Sequence, residues 1–312
     1  RRDGRRNSQR DAGVTLVSRV LKQLLKEMED FLKLLELVLK TFEVGQNPQA
    51  FLVLFGLSFA RFISFITIVP FFGGQIVPSQ FKVATATALV IIVYPSLLAE
   101  LPPDGSPLGF GPVGFVGMIA KEVFVGFTLG FVASMVFEAV QVAGRIADFQ
   151  RGSTMSELFA PQIQQQVSEL GQFKLQLAIV IFLTTGAHRF FISALVRSFE
   201  FIPALKFPHI EAGWTPAAEF LTVITGSVMS IGIQLAVPIV ITLLLTDLFF
   251  GLINRVAPQV NVFFLSMPVK MWIGIFVLAV MMPFLVERFR DLFDTSYQAF
   301  EFMIQYFSRM YQ

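Results

Sequence analysis

The sequence predicts an all-α, multi-helix integral membrane protein with broken helical hairpins, on three observations. Hydrophobic residues make up 54% of the chain against 15% charged, with 37 Phe in 312 residues and a mean hydropathy of +0.69, far more apolar than a soluble domain. The apolar residues fall into long segments, several near the ~20 residues that cross a hydrocarbon core of about 30 Å. Gly, Pro or a charge interrupts most of these segments, and such breaks persist in a membrane only where they are buried in protein or line water.

Charge separates a head, residues 1–48, from a helical body, residues 49–312. Residues 1–49 carry ten Lys/Arg and seven Asp/Glu, leaving 14 and 15 for the other 263. The chain opens on Arg1 and not on Met, so an upstream segment is expected, and the visible start lacks the short apolar core and small-residue cleavage site of a signal peptide. Residues 1–10, with five Arg among polar residues, are expected to be solvated. Val17, Leu21, Leu24, Met28, Phe31, Leu35, Val38 and Phe42 then alternate spacings of four and three, which predicts an amphipathic helix that docks on protein or lies on a membrane surface. It ends near Gly45, with Pro48 beyond it.

Residues 51–72 form the first candidate span. Arg61 sits at its middle, where a charge facing lipid costs on the order of 3 kcal/mol, so it is expected to face protein, water or an acid. Gly73-Gly-Gln-Ile-Val-Pro78 reads as a turn, and residues 81–98 as a short second span containing Pro95. The loop at 100–112 has no Lys or Arg, which by the positive-inside rule places it away from the cytoplasm. Simple counting puts it on the same side as the basic head, so either one segment is not a span or the protein is no ordinary bundle.

The third segment, 113–142, carries adjacent Lys121 and Glu122, which as sequence neighbours point to different sides of a helix and predict two separate contacts. Gly126 and Gly130, followed by Ser134, have the spacing of a groove for a second helix. Residues 143–172 are polar by contrast, with six Gln, an Asp148/Arg151 pair and a central Gly152. They read either as a connecting loop or as a stretch lining a watery vestibule. The fourth segment, 173–199, is broken by Gly186, His188 and Arg189; Pro203, Pro208, Gly213 and Pro216 then mark a loop holding His209 and Trp214. The fifth, 217–246, offers Gly226, Ser230 and Gln234 for helix contacts and Pro238 as a kink, and the sixth, 262–286, has Lys270 near its start. Residues 287–312 read as a separate amphipathic tail helix rich in Phe and Tyr.

No catalytic constellation is visible. There is no phosphate-binding Gly-rich loop, His-Glu-xx-His or Gly-x-Ser-x-Gly, and with no Cys and two His neither thiolate chemistry nor a histidine metal site is expected. His188 reads as a proton relay or as a hydrogen-bonded structural histidine. Asp247 reads as a cation site or a partner of Arg255, or more simply as a member of a structural ion pair or an exposed helix end.

Several blocks resemble the SctT/FliR family of type III secretion export apparatus proteins. They are Ser58-Phe-Ala-Arg61 continuing through Pro70, Ile76-Val-Pro78 and Lys82; Lys121-Glu122 with Gly126 and Gly130; Gly186-Ala-His188; Phe199 with Pro203; and the run from Gly251 through Asn254 and Arg255 to Lys270. Gln150-Arg151-Gly152-Ser153 and Ser266-Met267-Pro268 with Lys270 resemble the virulence-type SctT branch more than flagellar FliR. The head departs from the family pattern.

The resemblance implies a non-enzymatic export-gate subunit, multi-pass in the bacterial inner (cell) membrane and partly raised above its plane. It implies assembly with SctR-like and SctS-like subunits beside SctU-like and SctV-like components, contact with lipid and with secreted proteins in transit, and no cofactor, metal or nucleic acid. It also implies that residues 149–171, including Phe149, Gln150, Arg151, Gly152, Ser153, Thr154, Met155 and Pro161, plug the channel. Arg61, Lys121, Glu122, His188, Asp247, Asn254, Arg255 and Lys270 are then expected to make structural polar contacts. The rival class is a secondary transporter of a small solute or ion, with Asp247 or His188 as coupling site; no clear internal repeat supports it. An intramembrane enzyme would need a nucleophile and base that the chain does not offer.

Overall fold

The computed structural model describes residues 48–72, 77–98, 111–152 and 168–311. The expected head helix, most of the turn at 73–78, nearly all of the loop at 100–112, and Ser153, Thr154, Met155 and Pro161 lie outside these residues. All regular structure among the described residues is helical: α1 (Pro48–Ile68), a 3-10 turn (Pro70–Phe72), α2 (Ser79–Leu97), α3 (Pro112–Arg151), α4 (Glu169–Thr184), α5 (Ala187–Phe201), α6 (Ile210–Val256) and α7 (Val262–Ser308).

Local chemistry sets the boundaries. Pro70 excludes Val69 from the helical region and so closes α1. Pro112 opens α3, where its missing N–H is no loss. Gly152 ends α3 in the left-handed conformation at φ 79°, its N–H donating to the carbonyls of Asp148 and Phe149. Ser168 and Asn261 begin α4 and α7, accepting from the backbone N–H of Gly171 and Phe264. Gly186, at φ 77°, breaks the fourth segment into α4 and α5, which meet at a 74° bend.

Among the described residues five helices are long and apolar enough to cross a membrane, and the bent α4–α5 pair makes a sixth candidate, the same six segments that the sequence predicts. Two boundaries differ. α3 does not stop at Val142 but runs 40 residues to Arg151, because nothing between them breaks a helix until Gly152. The tail is not a separate helix: α7 is continuous over 47 residues. Leu285, Phe289, Leu292, Phe293, Ser296 and Phe300 carry one buried face straight through the expected boundary. At ~1.5 Å per residue α3, α6 and α7 are each about 60–70 Å long, roughly twice a bilayer's hydrocarbon thickness.

The chain divides into two compact units. In the described part of the smaller one, residues 48–56 and 91–98, the Phe51 ring meets the buried Tyr94 ring edge-on at 5.2 Å. The larger comprises the described residues of 57–90 and 110–312. There α3 packs along α4, α6 and α7, and α6 and α7 pack on each other as a hairpin. Gly126 and Gly130 form the predicted groove, and α1 fills it: a methyl group on Gly126 would fall on the Arg61 carbonyl oxygen, and one on Gly130 would lie 3.1 Å from that of Phe65. Phe182 of α4 is the centre of an aromatic core, with ring centroids of Phe71, Phe293, Phe137 and Phe191 at 4.5, 5.0, 5.3 and 5.5 Å. By contrast α6 and α7 expose large apolar side chains such as Leu252, Trp272 and Phe276, surface suited to lipid or to other subunits.

Gly126→Ala should destabilise the purified chain by about 1–3 kcal/mol, because a backbone oxygen cannot move aside as a side chain can. Gly226→Ala, which meets open space in α6, should instead be neutral or stabilising by up to about 1 kcal/mol. Thermal unfolding in detergent reads both; equal effects would refute the groove.

Candidate polar centres on the central helix

The apolar length of α3 carries a buried carboxylate near each end, and each gathers its own polar cluster. At the first, Arg61 and Glu122 are both fully buried. Arg61 Nε donates to Glu122 Oε2 at 2.5 Å and Nη2 to Oε1 at 3.0 Å, a two-point ion pair. The remaining guanidinium edge donates to Ser198 Oγ at 3.0 Å and to the Ile202 carbonyl at 2.7 Å, while its face covers the Phe199 ring at 3.8 Å. Lys121 Nζ donates to the carbonyls of Pro203 and Ala204, both at 2.8 Å, and of Lys206 at 3.1 Å. It also reaches Glu122 Oε1 at 2.8 Å. Lys121 and Glu122 therefore share one cluster and not two separate sides, because the long lysine stem folds back along the helix. One acid holds two cations, and these satisfy carbonyls at and beyond the end of α5 that no helix turn can reach.

At the second cluster Asp148 is the hub. It accepts from Arg151 one helical turn on, from Ser168 Oγ at 2.6 Å and from the Leu170 N–H at 3.0 Å. Ser168 in turn accepts from the Gly171 N–H at 3.0 Å. A carboxylate from α3 thus completes the N-terminal cap of α4, where free N–H groups and the helix dipole favour negative charge. Two glycines permit this approach: a methyl group on Gly144 would overlap the backbone of Gly171. Gly274 of α7 makes room for the Arg151 stem, 2.5 Å from where a Cβ would stand. Arg151 Nε and Lys174 Nζ are buried and have no hydrogen-bond partner among the described residues. Among the described residues these two buried cations neighbour one buried acid, Asp148, with exposed Glu169 3.9 Å from Arg151.

A third contact joins the hairpin to the end of α3. Asp247 pairs with Lys270 across α6 and α7 and accepts from Gln150 Nε2 at 3.2 Å. The expected Asp247–Arg255 pairing does not form. Eight residues on one helix separate the two by about 12 Å, and Arg255 is exposed. Asn254 is exposed and lines an open polar recess of about 530 Å³ with Asp247, Gln259 and Asn261. His188 lies outside all three clusters, and its buried Nδ1 has no hydrogen-bond partner among the described residues. Gly226 makes no close approach; Gly232 does, against Val142 and the Ala139 carbonyl. Of the residues expected in the plug, Phe149, Gln150 and Arg151 form the last turn of α3 and Gly152 its cap. Arg151 is buried at their base, whereas Phe149 is 72% exposed. Ser198, Ser168, Lys174, Gly144, Gly171 and Gly274 were not singled out by sequence. Only Lys174, a charge at the start of an apolar segment, carried a signal of the kind that marked Arg61. Among the described residues no group of His, Asp and Glu could hold a metal ion.

Glu122→Gln strands Arg61 and Lys121, and Asp148→Asn strands Arg151 and Lys174; each should cost about 3–5 kcal/mol, the penalty for breaking a buried pair. Lys174→Met, which removes an unsatisfied buried charge, should be neutral or stabilising. Unfolding temperatures of the three variants decide, and Glu122→Gln as stable as wild type would contradict the account.

Comparison with known proteins agrees with this architecture. The family model described as bacterial export proteins, family 1, matches residues 52–296, from the first turns of α1 well into α7. The flagellar biosynthetic protein FliR of Bacillus subtilis is 30% identical over 243 residues, 78% of this chain and 91% of its own. The secretion system apparatus protein SsaT of Salmonella typhimurium is 31% identical over 191 residues, 59% and 70% of the two chains. The Yop proteins translocation protein T of Yersinia pestis is 36% identical over 154 residues, 49% and 58%. Flagellar relatives align over more of the chain and virulence relatives at higher identity over less, and the family match spans the residues of all three polar clusters. The chain is a multi-pass membrane protein belonging to the SctT/FliR family of bacterial export proteins, whose members serve flagellar and type III secretion apparatus.

Proposed function

We propose that this chain is a non-enzymatic core subunit of a type III secretion export gate in the bacterial inner membrane. In this reading it forms part of the protein-conducting channel, and residues 149–171 supply a plug that helps close it. The supporting observation is the stem around Asp148. Ser168 Oγ and the Leu170 N–H both bond to this carboxylate, so the described chain just before and just after residues 153–167 is held on one side chain of α3. Their sequence, with one Glu, no Lys or Arg, and four Gln, can exchange water for protein contacts at lower cost than a charged segment. The exposed Phe149 at the top of the stem offers an apolar contact to whatever the plug seals against.

The remaining parts of the proposal follow from the family. SctR-like and SctS-like subunits would cover the exposed apolar faces of α6 and α7, with SctU-like and SctV-like components nearby. Helices roughly twice as long as a bilayer is thick suit a subunit raised partly above the membrane plane. Gln150-Arg151-Gly152-Ser153 and Ser266-Met267-Pro268 favour the virulence branch. No nucleotide-binding motif is present in the sequence, so opening is driven by a partner or by the arriving substrate.

Deleting residues 153–166 should leave assembly intact and make vesicles carrying the assembled complex leak a small fluorescent solute that wild-type complexes retain. Co-purification from membranes checks assembly first: elution with two smaller hydrophobic proteins is expected, and clean monomers would favour a transporter. A deletion complex that assembles and stays sealed would sink the plug assignment.

A further inference from the structure

Beside the Glu122 cluster lies a cavity of about 530 Å³ that neither the clusters nor the plug uses. Gly117, Phe124, Phe207, Trp214, Phe307 and Tyr311 line it, and among the described residues no carboxylate does. The Lys121 stem forms part of the wall, but its ammonium is already held by Glu122 and three carbonyls. The interior therefore offers apolar contact and asks for no charge. The volume is that of a small-molecule site and not of a packing defect.

The mouth is different. Trp214 is exposed, and the Tyr311 phenol is pushed up in pKa by burial and further by the Glu122 carboxylate, with Arg61 opposing; it therefore stays a protonated O–H donor. These are the amphipathic rings that suit a boundary between hydrocarbon and water. Lys206 and His209 flank the lining residues Phe207 and Pro208 in sequence, and Arg309 precedes the lining residue Met310. The His209 N–H donates to the Met310 carbonyl at 2.7 Å, which draws the two basic rims together. Lys206, His209 and Arg309 are all exposed, and the Arg309 guanidinium lies over the Tyr306 ring at 5.2 Å. An apolar cavity under a basic, aromatic rim is complementary to a molecule with a hydrocarbon chain and an anionic head.

We propose that this cavity binds an anionic phospholipid of the surrounding bilayer, one acyl chain filling the space between α3, Trp214 and Phe307 and the phosphate facing Lys206, His209 and Arg309. The inference rests on the multi-pass architecture and not on the export-gate reading. Such a lipid would wedge the start of α6 against the end of α7 and so set the register of the long hairpin.

Native mass spectrometry of the full chain, purified in mild detergent from membranes containing phosphatidylglycerol and phosphatidylethanolamine, tests it. Wild type should retain phosphatidylglycerol in preference to phosphatidylethanolamine. Ala120→Trp, an exposed lining position, fills the cavity and should abolish retention. Lys206→Ala/Arg309→Ala, confined to the surface, should keep the fold and lower the preference for phosphatidylglycerol about tenfold or more. Absence of retained lipid in wild type, equal retention in Ala120→Trp, or a preference unchanged by the surface pair would each overturn the proposal. So would displacement of the lipid by a protein partner seated in the cavity of the assembled complex.

Discussion

A carboxylate sealed in an apolar interior must be matched by cations and hydrogen-bond donors, and α3 carries two of them. Glu122 and Asp148 lie 26 residues apart on one helix, about 39 Å along its axis, and both are buried. Each resolves its burial by drawing in the free end of another helix. Glu122 holds the two cations that satisfy the carbonyls at and beyond the end of α5. Asp148 accepts the N–H groups at the start of α4. The bent α4–α5 pair is thus fastened to α3 at both outer ends, and Phe182 fills the space inside the bend. The polarity is the one the helix dipole favours, with cations at the C-terminal end and an anion at the N-terminal end.

This arrangement explains why a membrane protein keeps charges within its apolar segments. Arg61 in α1 and Glu122 in α3 would each be costly against lipid, but paired and fully hydrogen-bonded they fix which helix face meets which. The neighbouring Gly126 sets how closely, since Arg61 presents its carbonyl oxygen to that glycine while its side chain pairs one turn earlier. The second cluster is less completely satisfied. Among the described residues Arg151 Nε and Lys174 Nζ are buried without a hydrogen-bond partner, beside buried Asp148 and exposed Glu169.

Much of the helical body was legible in the sequence. The six apolar segments, the break at Gly186 and the Gly126–Gly130 groove follow from length, composition and spacing. Arg61, Lys121 and Glu122 could be recognised as making polar contacts, because a charge mid-segment is costly against lipid. Their partners could not, because Ser198 and the Ile202 carbonyl lie 137 and 141 residues from Arg61, and a backbone acceptor leaves no mark in a sequence. Gly144, Gly171 and Gly274 were equally hidden, each meeting a distant segment with no repeat spacing to betray it. The Asp247–Arg255 expectation failed on geometry available from the start, since residues eight apart on a helix do not touch. The polar stretch after Val142 was legible in composition only, and α3 in fact continues to Arg151 before Gly152 ends it.

The central proposal is that residues 153–167, flanked in sequence by the Asp148 contacts, occupy the path of exported protein. The chain contains no cysteine, so a single Thr154→Cys substitution in the assembled complex can be offered an export substrate that carries one cysteine and is arrested in transit. With a thiol oxidant added, the account predicts a disulfide between position 154 and the arrested substrate, absent when the cysteine is moved to the exposed Trp272 position of α7. A position 154 that never crosslinks to substrate, while the complex demonstrably holds it, would contradict the account.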